Sequence, residues 1–409
     1  MLILVINCGS SSVKYELYDM EKEAPLARGL ADRVSVSGGK EGTLKHKRLT
    51  DGLVHECGVE MPSHTEAVRL VLETLADPQY GVISSVSEID AVGHRVVHGG
   101  EAFTGAVVID DAVIRGIEDV SSLAPLHNPA NLVGIRVCRE LLPTVPHVAV
   151  FDTAFHATLP RHAFMYALPY DLYETMRIRR YGFHGSSHYF VARRAIALLE
   201  ARGIPETQSK IVTMHLGNGC SAAAVKGGKS VDTSMGLTPA EGLVMGTRGG
   251  DVDPAILVYL QRAAGMSAGD IDTLINKKSG LLGISGKTND MRDIEKMVAD
   301  GDDRGKLAMD IYCYRAKKYI GSYAAAMGGL DAVVFTAGVG ENGPMERAHI
   351  CEGLEFLGIK IDEEKNRNGK GERDLSQAGM GCAVFVIPTN EELVIARNTS
   401  KLVEGAKVG

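Results

Sequence analysis

The chain has 409 residues, of which 45% are hydrophobic and 23% are charged, so it can bury a core in roughly two or three domains. Its net charge of −7 argues against nucleic acid or an anionic membrane as the main partner. The sequence contains no uninterrupted run of about 18 apolar residues, the length needed to span a membrane. Seven scattered cysteines without a Cys-x-x-Cys pair indicate reduced thiols in a cytoplasmic protein rather than a disulfide framework or a zinc site.

The first residues predict a hairpin of two strands around a polar turn. The apolar run 2–7 ends at Asn7, residues 8–12 are small and rich in serine, and an alternating run then carries Lys14. Hydroxyls and backbone N–H groups beside one lysine suit a polyanion such as a nucleotide tail, although an ordinary polar hairpin has the same pattern. Because Asn7 cuts the apolar run short, we expect no secretory signal segment.

Farther along, apolar strands alternate with helical stretches, which is typical of an α/β protein. The strand candidates are 89–97, 145–151, 210–216, 332–336 and 382–387, and the helix candidates are 65–75, 131–142, 187–201, 255–264 and 307–327. The hairpin turn at 7–12 has an echo at 216–221, which predicts two similar α/β halves with a ligand cleft between them.

Charged residues lie at the ends of the early strands. Arg95 and Val97 fall on one face of their strand, and a guanidinium beside an apolar wall suits a small carboxylate with a short alkyl tail. Asp152 follows the strand 145–151, at the position where α/β sheets collect functional groups. A strand-edge ion pair for Arg95 and a turn cap for Asp152 are the structural alternatives.

His184 and His188 have the i,i+4 spacing of helical zinc ligands. No acidic residue lies between them as in His-Glu-x-x-His, and Gly182 and Gly185 predict that His184 lies in a turn before the helix. We therefore assign no metal to this pair. A second arginine, Arg248, lies in a glycine-rich loop, where arginines are usually solvated.

Two more glycine turns follow predicted strands. Residues 215–221 contain two glycines that let a phosphate approach the backbone closely. Residues 335–343 contain G-x-G-x-x-G, but Pro344 and the short remaining chain argue against a dinucleotide-binding fold. A Walker loop is excluded because Ala223 and Leu281 stand where it needs glycine.

The C-terminal helix begins near a pair of glutamates. Thr389 and Glu392 have the spacing of a capping box, which leaves Glu391 free. A first-turn carboxylate near bound phosphates could hold Mg²⁺, directly or through water.

Taken in order, these segments resemble the acetate kinase family of the acetate/sugar kinase, heat-shock chaperone and actin superfamily. The resemblance covers nearly the whole chain, through segments 5–14, 93–100, 124–131, 151–156, 181–188, 215–219, 233–253, 285–293, 335–342 and 387–392. It implies an α/β fold with two duplicated ribonuclease-H-like (actin-like ATPase) domains facing across a cleft. The first would span 1–152 plus 393–409, and the second 153–392 with the nucleotide site and the dimer interface.

The resemblance also implies an activity and its residues. The implied reaction is reversible, direct in-line transfer of the ATP γ-phosphoryl to acetate, giving acetyl phosphate and ADP. It would occur in a homodimer with Mg²⁺, or Mn²⁺ in its place, as metal. The metal residues would be Asn7 and Glu391. The catalytic residues would be Arg95, Asp152, His184 and Arg248. Acetate would contact Arg95, Val97, Leu126 and Phe183. The nucleotide would contact Lys14, His215, Leu216, Gly217, Asn218, Gly219, Asp290, Met291, Arg292, Gly338, Val339, Gly340, Glu341 and Asn342.

Physical chemistry modifies one implied role. The resemblance implies that Asp152 is a proton donor or acceptor. Acetate, like other carboxylic acids, has a pKa of about 4–5, so it is already ionised near neutral pH and needs no general base. We therefore expect Asp152 to orient Mg²⁺ or an arginine. Val97 favours acetate, because related propionate kinases tend to have a smaller residue there.

Several other functions remain to be weighed. The chain could be a propionate (short-chain carboxylate) kinase or a non-enzymatic actin-like or chaperone ATPase. Two further alternatives are an NAD oxidoreductase using residues 338–343 and a zinc hydrolase using the histidine pairs. The sequence also leaves open whether Cys8, in the phosphate turn, makes the protein sensitive to thiol oxidation.

Overall fold

The structure, a computed structural model, describes residues 1–35, 42–125 and 127–407. The chain forms two compact units, one of Met1–Ala154 with Asn390–Gly409 and the other of Phe155–Thr389. Glu391 and Glu392 thus belong to the first unit, whereas the sequence analysis assigned them to the second domain.

The first unit is built on one large sheet. Its elements are β1 (Leu2–Cys8), β2 (Ser12–Asp19), β3 (Ala24–Asp32), β4 (Gly42–Arg48), β5 (Val54–Val59), α1 (His64–Leu75), β6 (Ala91–Val96), β7 (Val107–Val108), α2 (Asp111–Asp119), α3 (Asn128–Leu141) and β8 (His147–Phe151). The strand order is β5-β4-β3-β2-β1-β6-β8-β7.

The second unit contains a smaller sheet and most of the helices. Its elements are α4 (Arg161–Phe164), α5 (Tyr170–Met176), α6 (Gly185–Glu200), β9 (Lys210–Leu216), β10 (Cys220–Lys226), β11 (Lys229–Thr233), α7 (Pro254–Ala264), α8 (Ala268–Lys277), α9 (Gly280–Ser285), α10 (Met291–Ala299), α11 (Asp303–Met327), β12 (Ala332–Thr336), α12 (Ala337–Asn342), α13 (Pro344–Cys351), α14 (Glu363–Arg367), β13 (Arg373–Asp374) and β14 (Ala383–Val386). The strand order is β11-β10-β9-β12-β14-β13. A last helix, α15 (Glu391–Lys407), returns to the first unit. Short 3-10 segments are Val86–Glu88, Ser121–Leu123, Ala154–Thr158, Glu206–Gln208 and Glu355–Leu357.

The two sheets share one topology. In the first, β3, β2 and β1 are joined antiparallel, and β6 and β8 follow as parallel neighbours of β1. In the second, β11, β10 and β9 are antiparallel, and β12 and β14 follow in parallel. A short antiparallel strand closes each parallel edge. The prediction of two similar α/β halves is confirmed, because the same order and the same strand directions occur twice.

The predicted strands and long helices are present, with ends shifted by a few residues. One glycine segment was misread: residues 337–342 form the short helix α12 directly after β12, not a turn. Within the described ranges, no helix combines the length and the apolarity needed to cross a membrane.

Cys8 lies in the core of the first unit rather than at its surface. Its side chain is buried, and burial raises the pKa of its thiol to about 12, so the reactive thiolate is scarce at neutral pH. Helix α3 comes so close that a Cβ on Gly134 would collide with the Cys8 sulfur. These contacts argue against thiol oxidation at this turn.

Candidate functional site

In the first unit, Arg95 and Asp152 lie at the ends of neighbouring parallel strands, β6 and β8. The register pairs Val96 with Phe151, and the Asp152 backbone N–H donates to the Val96 carbonyl at 2.9 Å. Arg95 Nε donates to Asp152 Oδ1 at 3.2 Å, and its Nη2 donates to Oδ2. The carboxylate therefore holds one full edge of the guanidinium.

This pair is embedded in a group of charges. Asp152 is only 1% exposed, and Glu391 Oε2 lies 3.9 Å from Arg95 Nε. Burial by itself lowers the pKa of Arg95, but the charges of Asp152 and Glu391 outweigh it, so this pKa lies above its ordinary value. Burial raises the pKa of Glu391, and the nearby charges of Asp152 and Glu392 add to the rise although Arg95 opposes it.

The predicted hairpin turn forms between β1 and β2. Asn7 is opposite Lys14 in the strand register, and Gly9 N–H donates to the Ser12 carbonyl at 2.8 Å. His64, at the start of α1, bonds the Gly9 carbonyl at 2.8 Å and anchors the turn. Lys14 forms an ion pair with Glu392, a partner that the sequence analysis did not assign.

The capping box predicted for the last helix is wrong. The side chain of Asn390, not Thr389, accepts a hydrogen bond from the Leu393 N–H, at 2.9 Å. Glu392 pairs with Lys14 instead of reaching back to the cap. Glu391 nevertheless occupies the first turn of α15, as proposed.

Of the residues assigned to acetate, two have side chains buried in their own units. Val97, directly after β6, is 6% exposed, and Phe183 of the second unit is 3% exposed. Leu126 lies outside the described residues.

In the second unit, His184 stands at the start of α6 with a left-handed backbone, φ 55°. The prediction of a turn before the helix is confirmed. His184 Nδ1 bonds the Ser221 hydroxyl at 2.8 Å, and the same oxygen bonds His188 Nε2 at 2.7 Å. The His184 ring stacks on His215, with centroids 4.0 Å apart. Ser221 thus fixes the orientation of two histidines, a role that its sequence context did not indicate.

These bonds also bear on the zinc alternative. His184 Nδ1 and His188 Nε2 both bond the Ser221 hydroxyl, so these two nitrogens already have a partner. In the part of the chain that the structure describes, no three His, Cys, Asp or Glu side chains are grouped to hold a metal ion.

Gly219 brings Arg248 and His184 together. A Cβ on Gly219 would lie 2.6 Å from Arg248 Nη2 and 3.7 Å from His184 Nε2, so a side chain at this position would displace the guanidinium. Arg248 also donates to the Pro239 carbonyl, and burial lowers its pKa. Although the loop is rich in glycine, this arginine is held in place and is only half-exposed.

The segments assigned to the nucleotide meet at the 217–219 loop. Asn289 Nδ2 donates to Asn218 Oδ1 at 3.0 Å, which joins the segment before α10 to the loop. A Cβ on Gly217 would touch the Ala337 side chain at 3.9 Å, at the start of α12.

Two of the assigned nucleotide residues bind each other. Asp290 caps α10 through the Arg292 N–H and pairs with the Arg292 guanidinium, which lowers the pKa of Asp290 to about 2. Arg292 is largely exposed, and Met291 is buried.

His156 positions the Phe183–His184 segment and was not predicted. Its Nε2 bonds the Phe183 carbonyl at 3.0 Å and its Nδ1 bonds the Ser230 hydroxyl at 2.8 Å. Burial lowers the pKa of His156 to about 4, a change that the Phe183 carbonyl opposes and Arg180 reinforces.

Comparisons with known proteins agree on one family. Residues 2–397 match the model of the acetokinase family. The acetate kinase of Halothermothrix orenii is 54% identical over 404 residues, covering 99% of this chain and 100% of that protein. The structure of Porphyromonas gingivalis acetate kinase is 48% identical, with a TM-score of 0.93 and coverage of 98% and 99% of the two chains. A propionate kinase from Francisella tularensis subsp. tularensis is 42% identical, with a TM-score of 0.90 and the same coverage.

The lowered pKa of His156 predicts that the second unit becomes less stable in acid. Below pH 6.5 this histidine binds a proton in the unfolded chain, whereas in the folded chain it stays neutral down to about pH 4. The free energy of unfolding is therefore not reduced by His156 above pH 6.5, and it decreases as the pH falls toward 4. The His156 contribution should be about 2 kcal/mol smaller at pH 5 than at pH 7.

The measurement is the free energy of unfolding in urea at both pH values, for the wild type and His156→Gln. The substitution should flatten the pH dependence by that amount. Equal pH slopes for the two proteins would contradict the assignment.

Proposed function

Because the chain belongs to the acetokinase family, we propose that it catalyses the reversible, Mg²⁺-dependent transfer of the ATP γ-phosphoryl group to acetate, giving acetyl phosphate and ADP. Transfer is direct and in line. Propionate is the second candidate acceptor, because one close structural neighbour is a propionate kinase.

The observation that carries the proposal is the free edge of the Arg95 guanidinium. Asp152 uses the Nε–Nη2 edge, and Nη1 has no hydrogen-bond partner among the described residues. The Nη1–Nη2 edge can therefore bind a carboxylate through two parallel bonds. Val97 is the apolar residue assigned beside the methyl group of acetate.

In this mechanism Asp152 orients the Arg95 guanidinium and does not transfer a proton. Acetate reaches the enzyme as the anion, so its oxygen is already nucleophilic. The buried carboxylate accepts two hydrogen bonds from Arg95, and this role requires no proton transfer.

The second unit supplies groups for the phosphoryl and the nucleotide. Phosphoryl transfer needs positioning and neutralisation of charge on the equatorial oxygens. Arg248 and His184, which converge on Gly219, are a suitable cation and hydrogen-bond donor for that charge. The 215–219 loop with residues 290–292 and 338–342 would hold ATP, and Lys14 of the first unit would bind its phosphate end.

Mg²⁺ fits the donors assigned to it. Asn7 offers an amide oxygen and Glu391 a carboxylate, both hard ligands that leave positions for water and phosphate. Glu391 lies among the like charges of Asp152 and Glu392, so a cation would stabilise its ionised form. When bound, Mg²⁺ would neutralise charge on the phosphate oxygens.

We also propose a homodimer and a cytoplasmic location. Helix α7 is apolar, and each of its residues is exposed or half-buried, with Ile256 at 47%, Val258 at 44% and Tyr259 at 67% exposure. Such an apolar surface supports the proposal that a second copy covers it. All seven cysteines are unpaired in the structure, which supports a reducing compartment.

The proposed activity is tested by trapping acyl phosphate with hydroxylamine. With ATP and Mg²⁺ we expect kcat/KM to fall from acetate to propionate to butyrate. Preference for propionate would keep the reaction and discard the assigned pocket wall. ATP hydrolysis without any acyl product would contradict the catalytic assignment.

Val97→Ala should relax the acceptor pocket. The added space should lower the KM for propionate severalfold and raise that for acetate, since one methylene contributes about 1–3 kcal/mol. Val96→Ala is the matched control, because Val96 is buried in the core beside the site and loses the same methyl groups. Unchanged propionate kinetics in Val97→Ala would refute the assignment.

Asp152→Asn should reduce kcat/KM for acetate at every pH. The amide lacks the charge that holds the Nε–Nη2 edge of Arg95, and a lost hydrogen bond between charged groups costs about 1.5–3 kcal/mol, so a loss of roughly tenfold to a hundredfold is expected. The measurement is the full pH–rate profile of both proteins. A loss confined to the acid or the alkaline limb would indicate proton transfer by Asp152 instead.

Tyr259→Glu should shift the protein toward monomers, because a charge on α7 opposes burial of that face. Sedimentation velocity at several concentrations measures the shift. Tyr314→Glu is the matched control, since this tyrosine is 63% exposed on α11. A dimer unaffected by the α7 substitution would place the interface elsewhere.

A further inference from the structure

Helix α3 carries two buried asparagines in its first turn that take no part in the proposed chemistry. Asn128 is 0% exposed and Asn131 is 4% exposed. Buried amides need hydrogen-bond partners, and the partners of these two differ in kind.

Asn131 bonds two different strands. Its Nδ2 donates to the Cys8 carbonyl at 2.8 Å, at the end of β1, and its Oδ1 accepts the Val97 N–H at 3.0 Å, just past β6. The amide can have only this orientation, because a backbone N–H only donates and a carbonyl only accepts.

The side-chain amide takes the place of a peptide group between the strands. β1 and β6 pair in parallel from Ile3–Ala91 to Ile6–His94, and their ladder ends there. Beyond it, Asn131 bonds one backbone group of each strand. Gly134, one turn farther along α3, permits this close approach to Cys8.

We propose that Asn131 is a positioning residue that fixes the spacing between Val97 and the Asn7 end of β1. The proposal rests on the function given above, in which Val97 bounds acetate and Asn7 serves the metal. A single buried side chain, bonded to one backbone group near each of them, would then control both positions.

Asn128 provides a matched control within the same helix. It is equally buried, but both of its bonds are to one residue: it accepts from the His98 N–H at 3.1 Å and donates to the His98 carbonyl at 2.9 Å. Its loss removes two buried bonds without releasing β1 from β6.

The first test uses amide hydrogen exchange of the substrate-free protein. In Asn131→Ala the Val97 amide should exchange at least about tenfold faster, because its acceptor is gone. In Asn128→Ala the faster exchange should be at His98. Unchanged protection of Val97 in Asn131→Ala would overturn the proposal, whether or not the protein phosphorylates acetate.

The second test uses kinetics. Asn131→Ala should raise both the KM for acetate and the Mg²⁺ concentration for half-maximal rate, each by about tenfold, the effect of one or two lost hydrogen bonds. Asn131→Asp should do the same, because a carboxylate would face the Cys8 carbonyl. Asn128→Ala should leave the Mg²⁺ dependence unchanged.

The outcomes separate this proposal from the proposed function. Equal kinetic changes in the Asn128 and Asn131 variants, at equal losses of unfolding free energy, would show that Asn131 is merely structural. A wild-type protein inactive on acetate and propionate would refute the function, and the exchange experiment would still decide the positioning role.

Discussion

The proposed acetate site depends on one ion pair between a partly buried arginine and a buried aspartate. A buried carboxylate is costly without a partner, and Arg95 at the end of the neighbouring strand offsets that cost while Asp152 fixes the plane of the guanidinium. The parallel register of β6 and β8 makes the pair possible, because it brings the ends of the two strands together. The edge of Arg95 that remains has the geometry of a carboxylate site. Structure and proposed chemistry thus follow from the same contact.

In the second unit, backbone conformation positions the charged side chains. Gly219 has no side chain to keep Arg248 away, and the left-handed His184 turns its ring toward the same point. Ser221 and His215 then hold that ring from two sides. A cation and an imidazole therefore stand ready before any ligand binds, which lowers the cost of reorganisation during phosphoryl transfer.

The features that were predicted correctly are those with a local sequence pattern. Strand periodicity and glycine turns identified the central strands of both sheets but missed β3, β4 and β5, and the order of motifs identified the family. Residues 337–342 were misread because glycines favour turns, whereas the Glu341 side chain accepts the Ala337 N–H and supports a helical turn. Asn131 and Ser221 were missed because single polar residues carry no local signal. Their partners are joined only by the topology of the fold, through contacts 123 and 37 residues apart in sequence.

The central claim is that Asp152 acts through Arg95. A double-mutant cycle tests it directly: kcat/KM for acetate is measured for the wild type, Asp152→Asn, Arg95→Ala and the double variant. If the carboxylate only orients the guanidinium, Asp152→Asn should have almost no effect once Arg95 is absent. If Asp152→Asn costs as much in the Arg95→Ala protein as in the wild type, the carboxylate acts on the reaction independently and the account is wrong.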